Sequence, residues 1–238
     1  MRLTTVADAA AAASRAAEVL DRLLAEALRA RGHAHLALSG GSSPRRAYEL
    51  LGPRVKDWSE IELWFGDERC VEPEHPDSNY RMVAESLLAH AEVPSEQIHR
   101  MPGELGPDTA ARVYTEELCS HVPTNEHGIP VLDVVLLGLG EDGHTASLFP
   151  GRRALEAHGQ ICVGVHDAPK PPPERVTLTL DTINAAHHYV LLAPGAGKAD
   201  AVGAVCAGPD PHVPASLLRR GRLELIVDDA ASPAPPAR

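Results

Sequence analysis

A histidine directly follows the third glycine of the stretch GLGEDGHTASLFPG, residues 138–151. Histidine is the side chain that most often serves as a general acid or base near neutral pH. Glu141 and Asp142 lie close enough along the chain to orient or charge the ring of His144. We therefore interpret His144 as a candidate catalytic base. The alternative is a histidine that only caps its loop, and with 13 histidines in the chain most must be incidental.

The same stretch contains G-x-G-x-x-G, the letters of a dinucleotide-binding turn. That turn needs a strand before it and a helix of several turns after it. Pro150 follows Gly143 closely, and a proline inside a helix costs about 3 kcal/mol, so no such helix is expected. A metal site that joins His144 to Asp142 or Glu141 lacks the paired histidines of typical zinc sites. We therefore predict neither a dinucleotide nor a metal here.

A second loop, LSGGSSP, has adjacent glycines between a predicted strand and a predicted helix. The backbone N–H groups of Gly40 and Gly41 can point at one spot, where the helix N-terminus adds partial positive charge and Ser42 adds a hydroxyl. These features predict a phosphate cradle. The alternative is a tight turn in which a serine caps the helix. The loop is not a Walker A motif, because G-x-x-x-x-G-K-[ST] occurs nowhere in the chain.

Charged residues occupy further positions beside predicted strands and helices. In WFGDERC, Asp67 could act as an acid, a base or a hydrogen-bond acceptor, and Arg69 could contact an anion or a developing oxyanion. Arg175 begins a strand after three prolines, and Lys198 begins a helix after a glycine loop. A lysine in the first turn opposes the helix dipole, which a bound anion would compensate. Each of these residues, taken alone, is more commonly surface charge.

The elements that must position these loops alternate between strands and helices. The hydrophobic pattern predicts helices over residues 8–31, 45–51, 78–90, 108–120, 198–206 and 215–220. It predicts strands over residues 33–38, 61–65, 131–137, 161–165, 175–180, 189–192 and 223–227. This alternation indicates an α/β layered fold with a mainly parallel central sheet flanked by helices. Ligands bind at the carboxyl ends of the strands in such sheets, which is where the candidate loops lie.

Length and composition limit the number of domains and the kinds of partner. The chain has 238 residues and no linker, so we expect a single domain over 1–229 and a disordered, Ala/Pro-rich tail over 230–238. The net charge of −11 argues against a nucleic-acid partner. It leaves room for a small anionic substrate, because a few cations in a cleft set the local field.

The four cysteines are widely spaced and form no C-x-x-C pair, which is typical of a reduced, cytoplasmic protein. The N-terminus shows no signal-peptide pattern. No apolar run approaches the roughly 20 residues that a helix needs to span a bilayer. We therefore expect a cytoplasmic protein without a membrane partner.

Taken together, five segments of the chain resemble 6-phosphogluconolactonases, a family that shares a superfamily with the glucosamine-6-phosphate isomerases/deaminases. The segments occur in the family's order within residues 38–202: SGGSSPRRAY, WFGDERCVEPEHPDSNYRM, LLGLGEDGHTASLFPG, PPPERVTLTL and GAGKADAV. The resemblance implies a Rossmann-like α/β sandwich that binds no dinucleotide. It also implies a pentose phosphate pathway hydrolase that opens 6-phospho-D-glucono-1,5-lactone to 6-phosphogluconate without a metal or an organic cofactor.

The resemblance further assigns roles to eight residues. His144 would be the general base that activates water, Arg69 would lie against the lactone end, and Asp67 would line the same site. The phosphate of the small sugar phosphate substrate would be held by Gly40, Gly41, Ser42, Arg175 and Lys198. We expect a monomer or a weak homo-oligomer.

Phe149 argues against the isomerase/deaminase branch of the superfamily. Those enzymes typically read G-H-I-A-F-N-E-P, with a glutamate just before the proline, whereas this chain reads GHTASLFP and has Phe149 at that position. They also tend to have D-E-Y where this chain has D-E-R. Lactone hydrolysis does not need the missing acid, so the sequence favours the lactonase. Two less favoured functions stay open at this point, a non-catalytic sugar-phosphate sensor and a dinucleotide-dependent oxidoreductase.

Overall fold

The computed structural model describes residues 1–233, which form a layered α/β structure. The strands within these residues are β1 (Arg2–Val6), β2 (Ala34–Leu38), β3 (Ile61–Phe65), β4 (Asp67–Arg69), β5 (Val134–Gly138), β6 (Cys162–Val165), β7 (Arg175–Leu178), β8 (His188–Leu192) and β9 (Leu223–Asp228). The α-helices are α1 (Ala9–Arg31), α2 (Ser42–Leu51), α3 (Asn79–Ser86), α4 (Pro107–His121), α5 (Leu180–Ala185) and α6 (Ala199–Ala207). Several short 3-10 turns lie between them.

Six strands form the central sheet, in the order β1-β9-β8-β5-β2-β3. Every neighbouring pair in this sheet is parallel. Strands β2 and β5 are buried along almost their whole length, as their continuous apolar runs require. The predicted α/β fold with a mainly parallel sheet is confirmed.

The long helix α1 packs against this sheet and follows its predicted bounds. The Asp8 side chain caps its start by accepting a hydrogen bond from Ala11 N at 2.8 Å. Gly32 ends it with φ at 80°, a left-handed conformation that glycine adopts readily. One face of the helix is buried, through Ala12, Ala13, Ala16, Ala17, Val19, Leu20, Leu23, Leu24 and Ala27.

A second, antiparallel sheet consists of β4, β7 and β6 in that order. The sequence pattern predicts β6 and β7 but does not separate them from the central sheet. It also leaves Asp67 and Arg69 in a loop, which is wrong. Asp67 pairs with Thr177 and Arg69 pairs with Arg175 across the two strands. These partners are distant along the chain, so no local pattern could show the pairing.

The strand predicted over 175–180 is too long. It ends at Leu178, and Thr179 then caps helix α5 by accepting a hydrogen bond from Thr182 N at 3.2 Å. The strand β1 is absent from the prediction, because its side chains are mostly exposed and show no clear alternation.

Two predicted helices are shorter or tighter than expected. The helix predicted over 78–90 is α-helical only to Ser86 and continues as a separate 3-10 turn. The helix predicted over 215–220 is a 3-10 turn, Pro214–Leu217. Segments of only three or four residues cannot complete the hydrogen-bonding pattern of an α-helix.

At the C-terminal end, Ala231 is fully buried and its N–H donates to Asp228. The packed part of the chain therefore extends beyond the predicted start of the tail at residue 230. Residues 234–238 of the predicted tail lie outside the described residues. The single domain over 1–229 stays a proposal, supported by one continuous hydrophobic core.

A buried histidine joins the edge strand β3 to helix α4. The ring of His99 stacks on Trp64 with 4.0 Å between ring centroids. Its Nδ1 lies 2.7 Å from Glu117 Oε1, and its Nε2 contacts Glu62. Burial lowers the pKa of His99, but the hydrogen bonds to Glu117 and Glu62 outweigh burial and hold this pKa above its ordinary value.

We predict that this contact makes stability depend on pH. The pKa of His99 is higher in the folded protein than in the unfolded chain. His99 therefore contributes to the free energy of unfolding at pH values below the ordinary histidine pKa, and this contribution is lost as the pH rises through the pKa of the folded protein. The free energy of unfolding is measured with denaturant at about pH 6 and at about pH 9, on either side of the ordinary histidine pKa of roughly 6.5. His99→Gln should lose less stability than the parent between these pH values, and the difference between the two losses should be on the order of 1 kcal/mol for each unit of pKa shift. Equal losses in both proteins would contradict the assignment.

Candidate active site

Loops that follow β2, β3, β5 and β8 meet at the carboxyl edge of the central sheet. Strand β2 lies between β3 and β5 in the sheet. The chain therefore passes from β2 to β3 on one side and later returns to the other side of β2 as β5. Ligands bind at such a switch point in α/β sheets. A cavity of about 190 Å³ lies there.

All eight site residues predicted from the sequence line the cavity. They are Gly40, Gly41, Ser42, Asp67, Arg69, His144, Arg175 and Lys198. Residues that the sequence analysis does not select also line it, above all Asn79, Ala146 and Lys170. Pockets for drug-sized ligands enclose roughly 300–1,000 Å³, so this smaller cavity suits a compact molecule better than a dinucleotide.

The glycine-serine loop presents an uncapped helix N-terminus to the cavity. Helix α2 begins at Ser42, and Gly41 is its N-cap, with no side-chain hydrogen bond to the first turn. The interpretation of a serine cap is therefore wrong. The first N–H groups of a helix have no partner inside the helix, so they remain able to bind an anion.

The backbone of Gly40 lies directly against the Asn79 side chain. A Cβ atom at Gly40 would overlap the Asn79 amide group, so any larger residue there would have to displace that side chain. Asn79 Nδ2 in turn donates to Asp67 O at 2.8 Å and to Asp67 Oδ1 at 3.3 Å. The Asn79 side chain thus lies between the glycine-serine loop and the Asp67 carboxylate.

His144 is mostly buried and pairs with one of its two acidic neighbours. Its Nδ1 lies 2.5 Å from Asp142 Oδ1. Burial lowers the pKa of His144 below its ordinary value, which outweighs the opposite effect of the Asp142 and Asp67 carboxylates. The ring is therefore neutral near pH 7. Because the carboxylate can only accept, Nδ1 carries the hydrogen and the lone pair lies on Nε2.

Glu141, the other acidic neighbour, faces the loop that follows β8. A Cβ atom at Gly197 would come within 2.8 Å of Glu141 Oε1. The Glu141 carboxylate also raises the pKa of Lys198, although burial is larger and lowers that pKa overall. The structure therefore separates the two acids: Asp142 orients the histidine and Glu141 lies beside the lysine.

Phe149 contacts both the histidine and a buried arginine. Its ring centroid lies 4.5 Å from that of His144, and Arg175 Cζ lies 5.5 Å from it on the ring face. Arg175 is further held by carbonyl oxygens, since Nε donates to Pro172 O at 3.0 Å and Nη2 donates to Lys170 O at 2.9 Å. Two backbone carbonyls and an aromatic ring thus fix the guanidinium at the cavity wall.

Asp67 and Arg69 lie on strand β4 with different hydrogen-bond partners. Asp67 is buried, and its Oδ2 accepts a hydrogen bond from Ser147 Oγ at 2.6 Å. Arg69 Nη1 donates to Asp77 O at 2.6 Å. Arg69 Nε is buried and has no hydrogen-bond partner among residues 1–233.

Two of the residues that sequence reasoning misses have weak local signals. Lys170 stands beside three prolines and close to Arg175, so a charge in a stiff segment could have pointed to it. Asn79 follows Ser78, which caps helix α3 by accepting a hydrogen bond from Arg81 N at 3.2 Å. That capping pattern predicts a helix start, but nothing in it shows that Asn79 reaches Asp67.

Among residues 1–233, no group of three or more His, Cys, Asp or Glu side chains is arranged to hold a metal ion. None of the helices in this part of the chain is long and apolar enough to cross a membrane.

The sequence model of one protein family, described as "Glucosamine-6-phosphate isomerases/6-phosphogluconolactonase", matches residues 7–227. The chain belongs to this family. The segments SGGSSP, GDER and GEDGH, each of which contributes residues to the cavity wall, lie inside the matched range.

Several relatives and solved structures in this family are similar to the chain over nearly its full length. A 6-phosphogluconolactonase of Mycobacterium tuberculosis is 38% identical over 219 residues, which is 88% of each chain. A 6-phosphogluconolactonase of Synechocystis is 38% identical over 213 residues, or 87% of each chain. The structure of 6-phosphogluconolactonase from Trypanosoma brucei superposes with a TM-score of 0.82 at 26% identity and covers 97% of each chain.

We predict that Gly140→Ala displaces the histidine. A Cβ atom at Gly140 would overlap the His144 ring and approach Asp142 Oδ1 at 2.5 Å. The displaced ring would lose its burial, so the pKa of His144 should rise toward its ordinary value. NMR titration measures this, with the His144→Asn spectrum used to assign the signal. Gly203→Ala is the matched control, because a Cβ atom there meets open space, and an unchanged titration in Gly140→Ala would contradict the geometry.

Proposed function

We propose that the chain hydrolyses 6-phospho-D-glucono-1,5-lactone to 6-phospho-D-gluconate, the second step of the oxidative pentose phosphate pathway. It would thus be a 6-phosphogluconolactonase, a carboxylic ester hydrolase. Relatives with that name, 36–39% identical over most of the chain, support the proposal. The observation that carries it is a neutral His144, oriented by Asp142, in the same cavity as an uncapped helix N-terminus.

His144 has the geometry of a general base for attack by water on the lactone carbonyl. Nε2 of the neutral ring takes a proton from water as the oxygen attacks, and Asp142 stabilises the imidazolium that forms. The carbonyl oxygen becomes a tetrahedral oxyanion, for which the Arg69 guanidinium at the cavity wall would be a donor. The imidazolium then returns the proton to the ring oxygen as the ester bond breaks. No covalent intermediate on the enzyme is needed.

The phosphate would occupy the opposite part of the cavity. The N–H groups at the start of α2, the Ser42 hydroxyl, Arg175 and Lys198 supply donors and positive charge. Burial lowers the pKa of Lys198, and a bound dianion would oppose that effect by favouring the charged form. Because the phosphate is remote from the carbonyl, its binding energy orients the substrate for attack.

Phe149 disfavours the competing reaction, isomerisation or deamination of an amino sugar phosphate. It is fully buried against His144 and carries no proton to exchange. An acid that works with the histidine in ring opening is therefore missing from this position. Water attack on a lactone needs only the base and an oxyanion donor.

The remaining expectations about cofactor, partner and compartment follow from the same proposal. We propose a small sugar phosphate as substrate, no cofactor and no nucleic-acid partner, which the net charge of −11 supports. All four cysteines are free, which supports a reducing cytoplasmic compartment. We also propose a monomer or a weak homo-oligomer.

A coupled assay tests the reaction and the base together. Purified protein, fresh 6-phosphogluconolactone, NADP+ and 6-phosphogluconate dehydrogenase should form NADPH faster than the spontaneous rate of ring opening. His144→Asn should lower kcat by roughly 10²–10⁴-fold, the usual contribution of a general base, with the melting temperature little changed. No acceleration by the parent protein would refute the proposed reaction, and full activity of His144→Asn would refute the base.

The phosphate site has its own test. Lys198→Ala should raise KM for the phosphorylated lactone by roughly 10-fold or more, because a charged hydrogen bond contributes about 1.5–3 kcal/mol. Arg175→Ala should act in the same direction. Lys56→Ala, an exposed lysine away from the cavity, is the control. If Lys198→Ala reduced hydrolysis of unphosphorylated gluconolactone equally, the residue would not be binding the phosphate.

A further inference from the structure

Glu68 is a buried carboxylate that does not line the cavity, yet it contacts the residues that build its wall. Its side chain is almost fully buried on strand β4. Oε1 accepts hydrogen bonds from Arg69 N and Asn79 N, both at 2.7 Å. Oε2 accepts from Tyr80 N at 2.8 Å and from Ser78 Oγ at 3.2 Å. One carboxylate thus satisfies four donors.

Three of these donors, on Ser78, Asn79 and Tyr80, belong to the start of helix α3. Their hydrogen bonds to Glu68 hold that helix against β4. The first N–H groups of a helix need partners outside it, and a carboxylate is the strongest one available. The fastened turn carries Asn79, whose side-chain amide donates to Asp67 and lies against the backbone of Gly40. The position of Glu68 therefore sets the positions of Asp67 and of the phosphate cradle.

We propose that Glu68 is a positioning residue for the reaction proposed above, because its ionised carboxylate holds Asn79 between Asp67 and Gly40. It touches neither the substrate nor the reacting atoms. It keeps strand β4, which carries Asp67, at a fixed distance from the phosphate cradle. A displacement of about 1 Å at a catalytic site can cost roughly 100-fold in rate, so loosening this contact should be visible in kcat.

The hydrogen-bond pattern requires the ionised form. Each carboxylate oxygen accepts hydrogen bonds from two donors. A proton bound to either oxygen would point toward those donors and displace at least one of them. The ionisable groups near Glu68 are Asp67, Cys70, Tyr114 and Arg175. Burial raises the pKa of Glu68 to about 7, which outweighs the hydrogen bonds from Asn79, Tyr80 and Arg69. Acidification should therefore release helix α3 from β4.

Glu68→Gln tests the proposal, because its amide replaces one acceptor by a donor without changing the size of the side chain. We expect kcat to fall at least 10-fold and KM to rise, since the carboxylate positions Asp67 and the cradle. Glu224→Gln is the matched control: Glu224 is also buried and accepts from Arg15 at 3.2 Å, but it lies away from the cavity. A lower melting temperature in both variants with kinetics within twofold of the parent would overturn the proposal.

The pH profile separates positioning from general stabilisation. In the parent protein loss of the His144 proton is required and loss of the Glu68 proton increases the rate, so log kcat should fall with a slope greater than one over part of the acid side. In Glu68→Gln the slope should be about one, and an unchanged slope would overturn the proposal. If Glu68→Gln does not fold, Asn79→Leu removes the next contact in the series, and full activity of that variant would have the same consequence.

Hydrogen exchange supplies a readout that does not depend on activity. The N–H groups of Asn79 and Tyr80 should exchange faster in Glu68→Gln than in Glu224→Gln or the parent. Equal exchange in all three would overturn the positioning role even if the lactonase reaction is correct. A parent protein without lactonase activity, but with the expected difference in exchange, would instead refute the proposed reaction and leave the contact established.

Discussion

The parallel pairing of β2, β5 and β8 is the constraint on which the cavity depends. Neighbouring parallel strands lie about 4.8 Å apart and end at the same edge of the sheet, so the loops that follow them meet there. The loop after β2 carries Gly40, Gly41 and Ser42, the loop after β5 carries His144, and the loop after β8 carries Lys198. The sheet thus sets the distance between the proposed base and the proposed phosphate site before any side chain contributes.

Burial then determines the charge states within this frame. The protein as a whole is acidic, with a net charge of −11, but the cavity collects four cations: Arg69, Lys170, Arg175 and Lys198. Burial lowers the pKa of both His144 and Lys198. For the histidine this favours the neutral form, which the proposed base needs in order to accept a proton. For the lysine it disfavours the charged form, and the phosphate dianion of the proposed substrate would offset that cost.

The features that the sequence predicts well are those that depend on local pattern. Helix α1 and strand β3 follow their predicted bounds, because a continuous apolar face or run determines each of them. The short strand β4 was not predictable, because it exists only through pairing with β7, far along the chain. For the same reason the choice between Glu141 and Asp142 as partner of His144 needed the structure. The two acids are adjacent in sequence, and only the fold of the loop separates them.

The loop that carries the histidine is fixed by contacts on both sides and not by its own conformational preference. Ala146 has φ at 49°, a left-handed conformation that costs an alanine roughly 1–2 kcal/mol. Its neighbours offset that cost: Thr145 Oγ1 donates to Gly138 O at 2.9 Å, and Ser147 Oγ donates to Asp67 at 2.6 Å. Such strain persists only where surrounding contacts determine the backbone. One of these contacts is Asp67, which also accepts hydrogen bonds from the Asn79 side chain, and that side chain lies against the backbone of Gly40. The His144 loop and the glycine-serine loop are therefore connected through Asp67 and Asn79.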